Sequence, residues 1–158
     1  MQGFKSFARK IEIPLDSGIN IFIGPNGSGK SNIADCLCFA LGRLSAKSMR
    51  AEKSKSLIFM GSKYIKPAKE AHVELVFDNT DRTFSLDNDE VTLSRTVKHN
   101  GQGVYKINGD TKTRGEVIET LAQAGIDPYG FNLILQGQIQ SIVKMHSEER
   151  RKIIEELA

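Results

Sequence analysis

The sequence predicts an α/β domain with a mixed sheet, an antiparallel meander and flanking helices, and three observations carry that expectation. A short β-branched run, Ile19-Asn20-Ile21-Phe22-Ile23, breaks off at a glycine-rich turn and is followed at once by helical spacing. Between residues 73 and 107 the apolar period becomes two, with turn residues at regular intervals. Capped helical segments then take over from Thr113 onward.

The chain opens with mixed apolar and basic residues, Gly3-Phe4-Lys5-Ser6-Phe7-Ala8-Arg9-Lys10, followed by an alternating stretch, Ile11-Glu12-Ile13. Residues 14–18 are expected as a turn and 19–23 as a strand, because β-branched and aromatic side chains suit a pleated surface. From Lys30 the spacing is helical: Ile33, Leu37 and Leu41 make one stripe, with Ala34 and Cys38 beside it. Gly42 supplies the left-handed residue that ends such a helix. Residues 43–70 are basic and serine-rich, with one apolar island at Leu57-Ile58-Phe59-Met60.

The meander follows. Val73, Leu75 and Phe77 alternate, as do Val91, Leu93, Arg95 and Val97, and a third run covers 104–107. Turns are expected at 78–81, 87–89, 99–101 and 108–109. Thr113 and Glu116 have the spacing of a capping box for a helix that runs to Ala124 and stops at Gly125, with Pro128 beyond. Residues 131–135 are expected as a buried strand and 139–144 as a short helix. Ser147 is expected to cap a last helix, with Glu148 and Glu149 in its first turn.

Composition bounds the function. The chain has 158 residues, enough to bury a core, and its 39% hydrophobic and 26% charged residues exclude collagenous and low-complexity classes. Its apolar runs fall short of the roughly 20 residues a membrane helix needs, and its first residues lack a signal-peptide core. Cys36 and Cys38 stand too close for an ordinary disulfide and too few for a zinc cage, which fits apolar helix residues in a reducing cytosol. Residues 1–70 carry 12 Lys+Arg against 5 Asp+Glu, and residues 71–158 carry 10 against 14. That asymmetry suits a basic face toward phosphate, of a nucleotide or of nucleic acid, or plain solvation.

The segment Gly24-Pro25-Asn26-Gly27-Ser28-Gly29-Lys30-Ser31 fits G-x-x-x-x-G-K-[ST] between a predicted strand and a predicted helix. Glycines let the backbone fold tightly enough for its N–H groups to converge on phosphates, and the helix N-terminus adds partial positive charge behind them. Lys30 is placed to reach the β- and γ-phosphates, and the Ser31 hydroxyl to ligate Mg²⁺. Asp127-Pro128-Tyr129-Gly130 spells a GTPase switch only at chance level, and no guanine-reading N-K-x-D occurs, so ATP is the expected nucleotide.

With those residues in hand the sequence resembles a known family. The loop from Gly24 to Ser31 resembles the Walker A loop of ABC-type ATPases. Gly3-Phe4-Lys5-Ser6-Phe7, Leu44-Ser45-Ala46-Lys47-Ser48-Met49-Arg50-Ala51, Leu133-Ile134-Leu135-Gln136-Gly137 and His146-Ser147-Glu148-Glu149-Arg150-Arg151 resemble, in order, further segments of prokaryotic or archaeal SMC proteins. The resemblance implies a P-loop NTPase of ABC/SMC type: residues 1–145 as the N-terminal lobe of an ATPase head, and 146–158 as the start of a coiled-coil arm. Ile153, Ile154 and Leu157 form a narrow seam there, equally suited to an ordinary amphipathic surface helix.

The same resemblance implies site residues. Gln136 matches the Q-loop glutamine that joins Ser31 on Mg²⁺, and Arg50 the R-loop arginine that approaches the nucleotide. For Arg50 the alternative is an exposed basic residue in a serine-rich loop. Lys5 and Ser6 match positions beside phosphates and ribose, with packing at a sheet edge as the alternative. Lys53, Lys55 and Arg114 are candidates for contacting DNA backbone, or simple surface charge. Phe4, Phe7, Phe59 and Phe131 are expected in the core, and His72, His99 and His146 are too scattered for a metal site or triad.

A Walker B strand and a signature loop are not found. Val73-Glu74-Leu75-Val76-Phe77-Asp78 imitates Walker B in outline, but Glu74 breaks the apolar run, Asn79 stands where glutamate belongs, and the segment falls in the meander. In SMC proteins those parts lie at the chain's other end, so the sequence is expected to be half a head. A strand that usually precedes the Gly-Phe-Lys-Ser segment is represented only by Met1-Gln2. The implied function is an ATP-driven clamp acting on DNA in chromosome condensation and segregation, nucleoid-associated in the cytoplasm. Its implied partners are the C-terminal half-head, a second head in a homodimer, a kleisin-type subunit and sequence-nonspecific DNA. A Rad50-like repair ATPase and a structural DNA-binding module with a vestigial ATP site are the alternatives; a stand-alone kinase lacks a candidate acceptor site.

Overall fold

A computed structural model of the chain describes residues 1–43, 54–130, 134, 145–148 and 151. Its centre is a four-stranded meander: β1 Glu70–Asp78, β2 Glu90–Lys98, β3 Gly103–Ile107 and β4 Asp110–Lys112, in the order β1-β2-β3-β4 and antiparallel throughout. Helix α1 spans Lys30–Ala40, a 3-10 turn spans Ser54–Leu57, and helix α2 spans Arg114–Gln123.

The period of two sends alternate side chains to one face. Ala71 faces Val97, Val73 faces Arg95, Leu75 faces Leu93 and Phe77 faces Val91, and β3 adds Tyr105 and Ile107. One end of this face packs beneath α1 with Phe4, Cys36, Cys38, Phe39, Leu57 and Ile58. The other packs beneath α2 with Phe84, Val117 and Leu121. On the opposite face the His72 ring meets Thr96 Oγ1 at 2.9 Å across the strands. Glu74 and Asp78 lie on an antiparallel strand, so the Walker B look-alike has no role of that kind.

Cap chemistry closes both helices. Gly42, at φ 87°, follows α1; its N–H donates to Phe39 O and that of Arg43 to Cys38 O, the paired bonds of a Schellman end. At the start of α2 the Thr113 hydroxyl accepts from Glu116 N–H, while Glu116 accepts from Thr113 N–H at 2.7 Å. Between β1 and β2, Asn79 is fully buried and replaces a ladder. Its amide donates to the Leu86 and Asn88 carbonyls and its Oδ1 accepts from Phe84 N–H.

Three expectations are corrected. Residues 19–23 form no strand: Ile19, Ile21 and Ile23 are 92%, 77% and 89% exposed. A strand exists only with a ladder partner, and no described residue supplies one, so the parallel component expected of the sheet is missing from these residues. Along α1 the inward stripe is Asp35, Cys36, Phe39 and Ala40, with Cys38, whereas Ile33 and Leu37 are half-buried. The rotation of the helix is set by long-range bonds, described below, that periodicity does not encode. Ser147 is already helical, one position later in its helix than a cap. The expected strand at 131–135, except Ile134, and the expected helix at 139–144 lie outside the described residues, as does Phe131. Ile134 is not in a strand. Phe4 is fully buried, and Phe7 and Phe59 partly so.

Burial pushes the Cys36 thiol up to about 12 and raises that of Cys38 as well. Neither thiol of the folded chain should react with a disulfide reagent at pH 8, and both should on unfolding in urea, measured by thiol release. Replacing Asn79 with Ala removes three buried hydrogen bonds and should cost about 2–4 kcal/mol in urea unfolding.

Candidate functional site

The glycine-rich segment is an exposed loop that leads directly into α1. Gly27 and Gly29 have φ of 81° and 97°, values other residues adopt only under strain, and they let the chain turn twice within three positions. Ser28 N–H donates to Pro25 O across the turn. The Lys30 ammonium lies back over the loop and donates to the carbonyls of Gly24 and Pro25 at 2.7 and 2.8 Å. An ammonium has three donors, so this posture holds the charge over the loop and leaves one N–H to aim elsewhere.

The two helix starts differ in how their first-turn amides are treated. Those of α2 are answered by Thr113 and Glu116. Those of α1 follow Gly29, which has no side chain to cap with, and no carboxylate stands in the first turn. Such amides, with the helix dipole behind them, suit an anion. Ser31 is exposed in this first turn.

Residues 5–7 run alongside. A Cβ on Gly29 would lie 3.1 Å from Ser6 Oγ and 3.5 Å from the Phe7 ring, so glycine is also required for this close approach. The Asn32 amide donates to Ser6 Oγ at 2.8 Å. Lys5, at φ 45°, turns its ammonium onto Asp35 Oδ2 at 2.6 Å, where both side chains are nearly buried. The N-terminal segment is thereby bonded to α1 twice within its first two turns, and it is tied to the 3-10 turn through Lys5 N–H to Leu57 O.

At the far end of α1, Arg114 Nε donates to Gly42 O at 3.0 Å, and the Arg114 guanidinium also bonds the Tyr129 hydroxyl. Arg95 donates to Phe39 O at 2.9 Å while its guanidinium lies between the rings of Phe39 and Tyr105, 4.3 and 4.7 Å from their centroids.

Of the residues expected in the site, Gly24, Pro25, Asn26, Gly27, Ser28, Gly29, Lys30 and Ser31 form one continuous loop and helix start, with Ser6 against it. Lys5 sits one turn along α1, on Asp35. Arg50, Lys53 and Gln136 lie outside the described residues. For Lys55 only the backbone, in the 3-10 turn, is described. Asn32, Asp35 and Arg95 were not singled out as site residues by sequence. The one available signal was Asp35 itself, a carboxylate set among Ala34, Cys36, Leu37 and Cys38.

The chain is similar in sequence and in fold to known proteins. The family model for the RecF/RecN/SMC N-terminal domain matches residues 1–131. The chromosome partition protein Smc of Pyrococcus furiosus is 46% identical over the whole chain, which spans 14% of that protein's length. A solved structure described as concerning ATP-driven dimerization and DNA-stimulated activation of SMC ATPases superposes with a TM-score of 0.90 at 45% identity, covering 99% of this chain and 95% of that one. An Smc head bound to the C-terminal winged-helix domain of ScpA superposes with a TM-score of 0.92 at 47% identity, covering 98% of this chain and 48% of that one.

Replacing Asp35 with Ala removes the carboxylate facing Lys5 and should lower stability by about 3 kcal/mol in urea unfolding, with Asp35→Asn intermediate.

Proposed function

The chain belongs to the family of RecF/RecN/SMC N-terminal domains, and from that membership we propose that it is the nucleotide-holding half of an SMC-type ATPase head. The observation that carries the proposal is the Lys30 ammonium held over a glycine loop that opens into an uncapped helix start.

The residues fit a nucleoside triphosphate. Main-chain N–H groups of Gly27 and of Gly29 to Ser31 receive the phosphate oxygens, Lys30 neutralises charge on the outer phosphates, and Ser31 offers a hydroxyl to Mg²⁺. Mg²⁺ prefers oxygen ligands and keeps waters, so one protein hydroxyl with phosphate oxygens suffices on this side. The bound cation supplies neutralisation of phosphate charge as it develops in transfer to water. Gln136 and Arg50 complete this reading, as a second Mg²⁺ ligand and as a cation approaching the nucleotide. Ser6, fixed by Asn32 against Gly29, lines the approach to the phosphates. Lys5 contributes through Asp35, which holds the rotation of α1.

A half-head is supported by what this chain leaves uncovered. Ile19, Ile21 and Ile23 belong to a β-branched run directly before the loop, yet project into solvent. Burying three isoleucines is worth about 5–9 kcal/mol, a strong drive to accept a strand from the complementary half. That half also brings the carboxylate that activates water, so this chain by itself holds ATP without turning it over at a useful rate. By likeness to the Smc relatives, the completed head engages a second head around ATP, a kleisin-type subunit and DNA, in chromosome segregation within the nucleoid.

The test is calorimetric titration of ATP and Mg²⁺ into the head completed with its C-terminal half. Binding heat is expected, and Lys30→Ala should abolish it while leaving the thermal transition in place. Equal heats for both proteins would remove Lys30 from the site, and none for either would overturn the reading.

A further inference from the structure

The meander is electrically polar along its strands. At the end where β1 begins and β2 finishes, residues 61–70 and 98–103 carry Lys63, Lys66, Lys69 and Lys98 against one carboxylate, Glu70. At the opposite end, residues 78–90 carry Asp78, Asp81, Asp87, Asp89 and Glu90 against one cation, Arg82. Nine residues of β1 separate the ends by about 26 Å, more than two screening lengths at physiological salt, so the poles do not cancel.

The basic pole is built rather than loose. Phe59 O accepts from Ala68 N–H, and beyond that bond the chain folds into a tip in which Ser62 N–H donates to Ile65 O at 2.8 Å. The Ser62 hydroxyl accepts from Tyr64 and Ile65 N–H. Gly61, at φ 93°, lies against Pro67 so closely that a Cβ would come within 2.9 Å of its ring. His99 Nε2–H donates to Ala68 O at 2.9 Å and ties this tip to the 99–102 turn beside it. On the tip Tyr64 is 86% exposed, with the Lys63 ammonium 5.7 Å from its ring centroid. A tyrosine so placed contributes little to the core, and a rigid tip presents its ring at small entropic cost.

We infer that this pole, carrying Lys63, Tyr64, Lys66, Lys69 and Lys98, is a sequence-independent contact for the DNA backbone. The inference rests on the reading of the chain as part of a DNA-acting head and names a surface for it separate from Lys53, Lys55 and Arg114. Lysines act on phosphates as point charges without reading bases, and four on one edge neutralise several phosphates at once. An exposed ring among them adds a stacking face for an unpaired base. The acidic pole repels the same polyanion and so directs it to the lysine edge.

The experiment measures the anisotropy of a labelled duplex and a labelled single strand against the full-length protein between 50 and 200 mM salt, levels that span the usual electrostatic range. The Lys63→Glu/Lys66→Glu/Lys69→Glu variant should weaken duplex binding by about tenfold or more and reduce the log–log salt slope by about 2–3. The corresponding triple Gln variant, free of introduced repulsion, should show the smaller loss with the same change of slope. Tyr64→Ala should lower single-strand affinity by about fivefold or more and leave the duplex unchanged. ATP binding should be untouched in all of them. Wild-type protein that binds DNA, with triple variants matching its affinity and slope, would overturn this surface alone. Wild-type protein that binds no DNA would overturn the DNA-acting reading on which it rests.

Discussion

The guanidinium of Arg95 lies between the Phe39 and Tyr105 rings and bonds the Phe39 carbonyl, and the position of α1 follows from that contact. A cation taken out of water on a sheet face is costly, and burial lowers the pKa of Arg95 while raising that of Tyr105. Arg95 Nε and the Tyr105 hydroxyl find no hydrogen-bond partner among the described residues, at about 1–3 kcal/mol each. Two desolvated ring contacts of about 2 kcal/mol each and a charged hydrogen bond of about 1.5–3 kcal/mol offset this. The remaining gain is positional. Arg95 on β2 and Arg114 on α2 both donate to carbonyls at the negative end of α1, so the sheet and α2 together hold the helix by its dipole.

The other end of the same helix is treated in the opposite way. Its first turn has neither a capping side chain nor a carboxylate, and the Lys30 ammonium is folded back over the loop before it. Arginines at the carbonyl end and exposed amides at the other leave α1 rigidly held yet electrically open where the glycine loop begins. Lys5 on Asp35 and Asn32 on Ser6 fix its rotation between those limits. Under the proposed function, a loop that presents several N–H groups to one triphosphate depends on such fixation, because small displacements misalign every donor together.

The uncovered parts have one physical theme. Residues 19–23 have the side chains of a buried strand and the exposure of a surface loop, since a ladder is a property of two segments. The strands of the meander, by contrast, pair with their neighbours in sequence, and among the described residues Gln2 adds one bridge to His72 on the outer side of β1. A strand-like run without a ladder and a meander paired between sequence neighbours therefore coexist among the described residues.

Local signals in the sequence were enough for the alternating strands of the meander, the capping box at Thr113 and Glu116, the end of α1 at Gly42, and the glycine loop leading into a helix at Lys30. Each of these depends on residues within a few positions of one another, where period, cap and turn chemistry act directly. Tertiary structure alone decided which face of α1 turns inward, that Lys5 rests on Asp35, that Arg95 lies beneath Phe39, and that residues 19–23 remain without a ladder. Those outcomes join positions 30 to 56 residues apart, or require a partner strand, and the energies that settle them come from contacts no local window contains.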